Sequence, residues 1–140
     1  MKMTLGEANE RYFALAGMRE RIFPVKLGFA IAENLESLKV EADRAEQERV
    51  KLCKLYADKD KDGSFKMVDS VVNGTPVKNY QVSEENRILL EKDLEELYKI
   101  EVDVKVRPVS ESVFEKCESE PRYSTPSVKE ICALSFMIEK

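Results

Sequence analysis

Between residues 24 and 57 the apolar positions recur every three or four residues. Leu27, Ile31, Leu35, Leu38, Ala42, Ala45, Leu52 and Tyr56 form one stripe, with Arg49 in register. Glu33, Glu36, Lys39, Glu41, Asp43, Arg44, Glu46, Glu48 and Lys51 fill the steps between. That period predicts one amphipathic helix over 24–57, about nine turns long, with Pro24 at its opening. Ahead of it, Thr4 and Glu7 have capping-box spacing, and Ala8, Tyr12, Leu15 and Ala16 follow at helical steps. A helix over 5–18 is predicted there. The stripe of the long helix thins beyond Ala42. A helix of nine turns spans roughly 50 Å, whereas a compact domain of this length has a radius of gyration of only about 14–15 Å. Its far end must stand in water or find cover outside the primary core, and because Ala45, Leu52 and Tyr56 keep the apolar period there, a homodimer or a stable complex with a partner is expected through them.

The pattern then changes. Residues 58–63 break the helix, and two runs rich in valine and aromatic residues flank Asn73-Gly74. Asn-Gly suits a two-residue turn needing positive φ at both positions, so 64–82 reads as a hairpin. Ser83 opens a helix over 84–98, with Ile88, Leu89, Leu90, Leu94, Leu97 and Tyr98 assigned to its inner face. Ile100, Val102, Val104 and Val106 alternate with Glu101, Asp103, Lys105 and Arg107, which predicts a half-buried strand over 100–107 ended by Pro108. Residues 108–124 read as a loop with one turn at Val113-Phe114. Thr125 as N-cap and Pro126 in the first turn predict a last helix over 126–139. The expected fold class is α+β: a long amphipathic helix and two or three further helices packed with a small antiparallel sheet, forming one domain over 1–140.

Composition narrows the chemistry. The chain has 23 basic and 27 acidic residues, no histidine, no tryptophan and five glycines. Without histidine, Ser-His and Cys-His nucleophile pairs cannot form within the chain, and the commonest general base and metal ligand is missing. No glycine-rich phosphate loop is present. Cys53, Cys117 and Cys132 have no zinc or disulfide-framework spacing, and no segment has signal-peptide or membrane-spanning character. Reduced thiols in a cytoplasm are therefore expected. The basic residues are not gathered in blocks, so no direct nucleic-acid binding is expected.

One segment invites a metal test. Asp58, Asp60, Asp62 and Asp69 fall at positions 1, 3, 5 and 12 of the EF-hand loop, with Gly63 at position 6. Position 12 is aspartate, however, and β-formers follow where a helix should exit. A helix end and Asp-Gly turn entering a hairpin is the competing reading. Neither a resident metal nor any other cofactor is expected. Acids on the long helix carry interleaved cations and read as a solvated face. Tyr12, Phe13, Tyr80 and Tyr98 read as core.

Taken in order, Phe23-Pro24-Val25-Lys26-Leu27-Gly28-Phe29-Ala30-Ile31-Ala32-Glu33-Asn34-Leu35, the charged helix, Asp60-Lys61-Asp62-Gly63, Ile100-Glu101-Val102-Asp103-Val104 and Leu134-Ser135-Phe136-Met137-Ile138-Glu139 resemble a family. It is a domain of unknown function encoded by tailed bacteriophages and prophages of Gram-positive bacteria. The resemblance implies a phage origin and action in the host bacterial cytoplasm or in the virion assembled there. It brings no catalytic residues. The function expected is that of a non-enzymatic interaction protein, an assembly accessory or host-directed inhibitor acting by self-association or by binding a phage or host protein. The alternative is an anti-defence sponge for a small nucleotide signal, with Arg107, Arg122, Tyr123 and Lys129 as its pocket.

Overall fold

The structure is a computed structural model and describes residues 1–139. The fold is α+β. Contacts among the described residues sort into two compact units: Met1–Asp43 with the residues from Ile100 onward, and Arg44–Lys99.

In the first unit, β1 (Lys2–Thr4) leads directly into α1 (Leu5–Ala16). The Thr4 hydroxyl accepts from the Glu7 N–H at 3.1 Å, and the Glu7 carboxylate accepts from the Thr4 N–H at 3.3 Å, so the expected capping box is formed. Next comes α2 (Val25–Tyr56), of which residues 25–43 belong to this unit. It opens just past Pro24, whose carbonyl accepts the Gly28 N–H at 2.9 Å. Leu27, Ile31, Leu35 and Leu38 are buried, as the stripe predicts, and so is Ala30 beside them. They form one core with Leu15, Phe23, Val104, Val113, Leu134 and Met137, among others.

The strand expected over 100–107 is laddered only at β4 (Glu101–Asp103), antiparallel to β1 with Met3 opposite Val102. β1 supplies just three residues before α1 begins, so the ladder stops there. The alternation still holds beyond it: Val104 is buried and Val106 half-buried, while Lys105 and Arg107 are exposed. Farther on, residues 108–124 are more ordered than a loop. β5 (Val109–Ser110) precedes α4 (Ser112–Ser119), which buries Val113 and Cys117, four residues apart on one face.

The C-terminal helix expected over 126–139 is shorter. α5 (Val128–Leu134) starts at Ser127, not Thr125, because Ser127 and Glu130 make a second capping box with bonds of 3.0 and 3.1 Å. A 3₁₀ turn at Ser135–Met137 follows, then β6 (Ile138–Glu139). Ile138 pairs with Val109 in a parallel two-residue ladder while Met137 turns into the core, so helix cannot continue.

The second unit holds residues 44–56 of α2, the hairpin β2 (Met67–Val72) and β3 (Thr75–Tyr80), and α3 (Glu84–Tyr98). The hairpin expected over 64–82 is present around Asn73 and Gly74, whose φ angles are 51° and 79°, as a type I′ turn requires. Ser83 caps α3 by accepting from the Asn86 N–H at 3.3 Å. Its inner face is Leu90 and Leu97, buried, with Leu94 and Tyr98 half-buried. Ile88 and Leu89 point outward, since a 3.6-residue period cannot place 88, 89, 90 and 94 on one side. The small sheet is thus two separate antiparallel pairs plus the parallel one.

Candidate functional site

The inward stripe of α2 leaves another face outward, and its first turns are apolar there too. Val25 is 81% exposed and Phe29 58%, four residues apart and therefore adjacent on the helix surface. Ile22, just upstream, is also exposed. Beside them lies a groove of about 500 Å³ whose other wall is Arg107, Pro108, Val109 and Val113. Its position follows from one buried polar side chain. Asn34, 1% exposed, donates from Nδ2 to the Arg107 carbonyl at 3.0 Å and accepts from the Arg107 N–H at 2.6 Å. Between Val104 and β5 the chain has no strand neighbour among the described residues, and at Arg107 Asn34 supplies the bonds that a neighbour would make. Its amide also lies 3.4 Å from the Met137 sulfur.

Arg107 itself turns back over the groove. Its guanidinium lies 5.1 Å from the centre of the Phe29 ring and is ion-paired with Glu33, one turn further along α2. Lys26 adds a second cation to the lining. Apolar walls with cations above suit an apolar group that carries negative charge. The hydroxyls nearby are poor nucleophiles: Ser112 donates to Ser110 at 3.1 Å, and neither contacts a base among the described residues. On the adjoining helix, burial pushes the Cys117 thiol up, away from the reactive thiolate.

The other sites expected from the sequence fare differently. Of the nucleotide-pocket candidates, only Arg107 lines this groove. Arg122 pairs with Glu120 at 2.8 Å and lies 4.7 Å over the Tyr123 ring, and neither Arg122, Tyr123 nor Lys129 borders the groove. Residues close in sequence after Pro108 are spread along α4, α5 and their connection. The interface expected at Ala45, Leu52 and Tyr56 is partly occupied within the chain itself. Ala45 is 1% exposed, Leu52 half-buried, and the Tyr56 hydroxyl donates to Asp93 on α3 at 2.5 Å. Asn86 on α3 donates to the Tyr56 carbonyl at 3.3 Å. The chain's own α3 covers this stretch, which the length argument had left without cover.

Segment 58–69 is a hairpin entry. The Asp58 N–H donates to Gln81, the Asp60 N–H to Ser64 at 2.7 Å, and Lys59 bridges Phe65. Asp62 accepts from the Ser64 N–H at 3.0 Å, which holds its carboxyl below the usual carboxylate range. Gly63 takes φ of 88° at the turn, and Asp69 sits in β2 opposite Lys78. Among the described residues no three acids or thiols converge on a metal position. Cys53, Cys117 and Cys132 are free. Phe13, read as core, is exposed and packs edge-on to Tyr12 at 5.3 Å. No helix among the described residues is long and apolar enough to cross a membrane.

Sequence reasoning missed the groove because it followed the buried stripe. The signal was present in Val25 and Phe29, an apolar pair at i,i+4 lying off that stripe. Comparison with known protein families, curated proteins and solved structures finds no match to this chain.

Proposed function

We propose that the protein is a phage-encoded, non-enzymatic interaction protein that binds a protein partner through the groove at the start of α2. It acts in the host bacterial cytoplasm or in the virion assembled there, as the family resemblance implies. The observation that carries this reading is the Val25–Phe29 face. Two large apolar side chains stand outward beside an apolar groove, on a helix whose own core stripe is already complete. Exposed apolar surface of that kind, rimmed by charge, marks binding sites more often than neutral surface. Lys26 on the groove lining, with Arg107 held there by Glu33, favours a partner segment that places a carboxylate next to an apolar anchor. The lack of histidine in the sequence points the same way, toward binding and away from acid–base catalysis.

The test is affinity isolation of the tagged protein from cells carrying its phage genome, beside a Val25→Asp/Phe29→Asp double variant. Both sites are exposed, so the variant should fold. A defined partner recovered with the parent and lost with the variant is expected. Equal recovery by both, or a nucleotide-dependent rise in melting temperature with no protein partner, would refute the reading.

A further inference from the structure

A second surface, independent of the groove, lies on the hairpin of the second unit. The two-residue turn at Asn73-Gly74 makes Val72 and Thr75 a hydrogen-bonded pair, and the pairing alternates from there. Ser70 with Val77 and Val68 with Asn79 are then bonded pairs too. The Gln81 N–H donating to the Lys66 carbonyl at 2.9 Å continues the series. Met67, Asp69 and Val71 therefore point their backbone groups to one outer edge, and Pro76, Lys78 and Tyr80 point theirs to the other.

These edges differ. On β3, Pro76 has no N–H to offer and Lys78 adds a charge, the two usual devices against edge pairing. On β2 the groups of 67, 69 and 71 make no other backbone bond among the described residues. Around that open edge Met67, Val68, Val71 and Val72 are all exposed, on both faces of the hairpin. A two-stranded hairpin with apolar residues on both faces is the middle of a sheet without its neighbours.

We propose that β2 pairs antiparallel with β2 of a second copy, with Ser70 on the two-fold axis, giving a four-stranded sheet. One open edge and one blocked edge make a closed dimer instead of a filament. Charge and the chain's fold at the start of β2 narrow the register. Centring on Asp69 would set two carboxylates opposite each other. Centring on Val68 would run the ladder down to Phe65, where Ser64 and Lys66 on either side are already held by Asp60 and Asp58. Centring on Ser70 sets Asp69 against Val71 and Val68 against Val72, while Lys78 lies across from Asp69 within its own hairpin. Ser70 then faces Ser70 as a non-hydrogen-bonded pair, with Cα atoms about 4.5 Å apart.

That spacing permits a disulfide, which gives the test. Ser70→Cys, placed in a Cys53→Ser/Cys132→Ser chain, should form a linked dimer in glutathione buffer. Linkage should run roughly tenfold faster than for Val68→Cys, whose mate across the axis is residue 72. Without the cysteines, Val71→Pro should give a monomer by light scattering at concentrations where the parent is a dimer. Lys78→Pro, which alters the other edge, should leave the dimer intact. The proposal is overturned by a monomeric parent at high micromolar concentration, by equal linkage at 70 and 68, or by equal loss of dimer in both proline variants. Phe29→Asp should dimerise like the parent, so failure of the groove and failure of this edge remain separable.

Discussion

Replacing Asn34 by leucine probes the buried polar contact that anchors the Arg107 end of the groove's far wall. The side chain is buried, and leucine is close to it in size, so little cavity or overpacking arises. What is lost is two hydrogen bonds, of 2.6 and 3.0 Å, to one peptide segment. The Arg107 N–H and carbonyl would be left without partners in a partly buried place. At the low end of about 1–3 kcal/mol per orphaned group, and with some return from burying leucine, the loss is about 2–3 kcal/mol. An unfolding entropy of about 2.1 cal/mol/K per residue converts this to a fall of about 7–10 °C if the whole chain melts as one. If the first unit melts alone, with a little over half the residues, the fall is about 11–17 °C. Thermal unfolding followed by circular dichroism reads it directly. Asn34→Asp should be worse at neutral pH, since a buried carboxylate would face the Arg107 carbonyl. It should recover part of the loss as pH falls toward about 4, because burial raises the folded acid above its unfolded value and the protonated form can donate. A fall under about 2 °C for Asn34→Leu would refute the role given to this side chain.

Leu35→Asp places an unpaired charge on the buried face of α2 and should cost about 3–5 kcal/mol; melting within a degree or two of the parent would mean the stripe is wrongly assigned. Millimolar calcium should leave the melting temperature unchanged, because 58–69 is a hairpin entry; a rise of several degrees that Asp58→Ala with Asp62→Ala abolishes would contradict this. The Ser127 N–H, then Arg21, hold the Glu130 carboxyl below its ordinary value of 4.5. A lowered carboxylate stabilises the fold above its unfolded pKa and loses that contribution as pH falls through the folded one. Stability should thus decline from about pH 4.5 downward, helped by Glu46 beside Arg49 and Glu95 beside Lys99. Glu130→Gln, which can keep the cap, should cost about 0.5 kcal/mol at pH 7 and nothing at pH 3; an equal cost at both would assign the effect to the cap alone.

What was legible in the sequence was whatever a short window encodes. Thr4 with Glu7, Asn73 with Gly74, and Ser83 ahead of its acids each specify local geometry, and α1, the hairpin and α3 start where those residues place them. Long-range pairing was not legible. β1 is three residues long, too short to show a period, and its partner β4 lies about a hundred residues away. Prolines and serines around 108–124 obscured α4, whose apolar signature is short: Val113 and Cys117 at i,i+4, with Phe114 beside them. Asn34 looked like one more polar residue in an amphipathic helix. Only the fold shows that it stands in for a missing strand. The length of α2 suggested an outside partner at its far end, because nothing local says that α3 returns to cover it.

The claim that the start of α2 binds a partner is tested most directly by a photo-crosslinking amino acid at position 29. A second chain would carry it at Glu48, an exposed residue elsewhere on the helix. Each would be expressed in the cells in which the protein is natively made and its crosslinks identified by mass spectrometry. The account predicts a crosslink from position 29 to one protein, through a segment bearing an acidic residue beside an apolar one, and none of comparable yield from position 48. No crosslink from 29, or the same products from both positions, would contradict it.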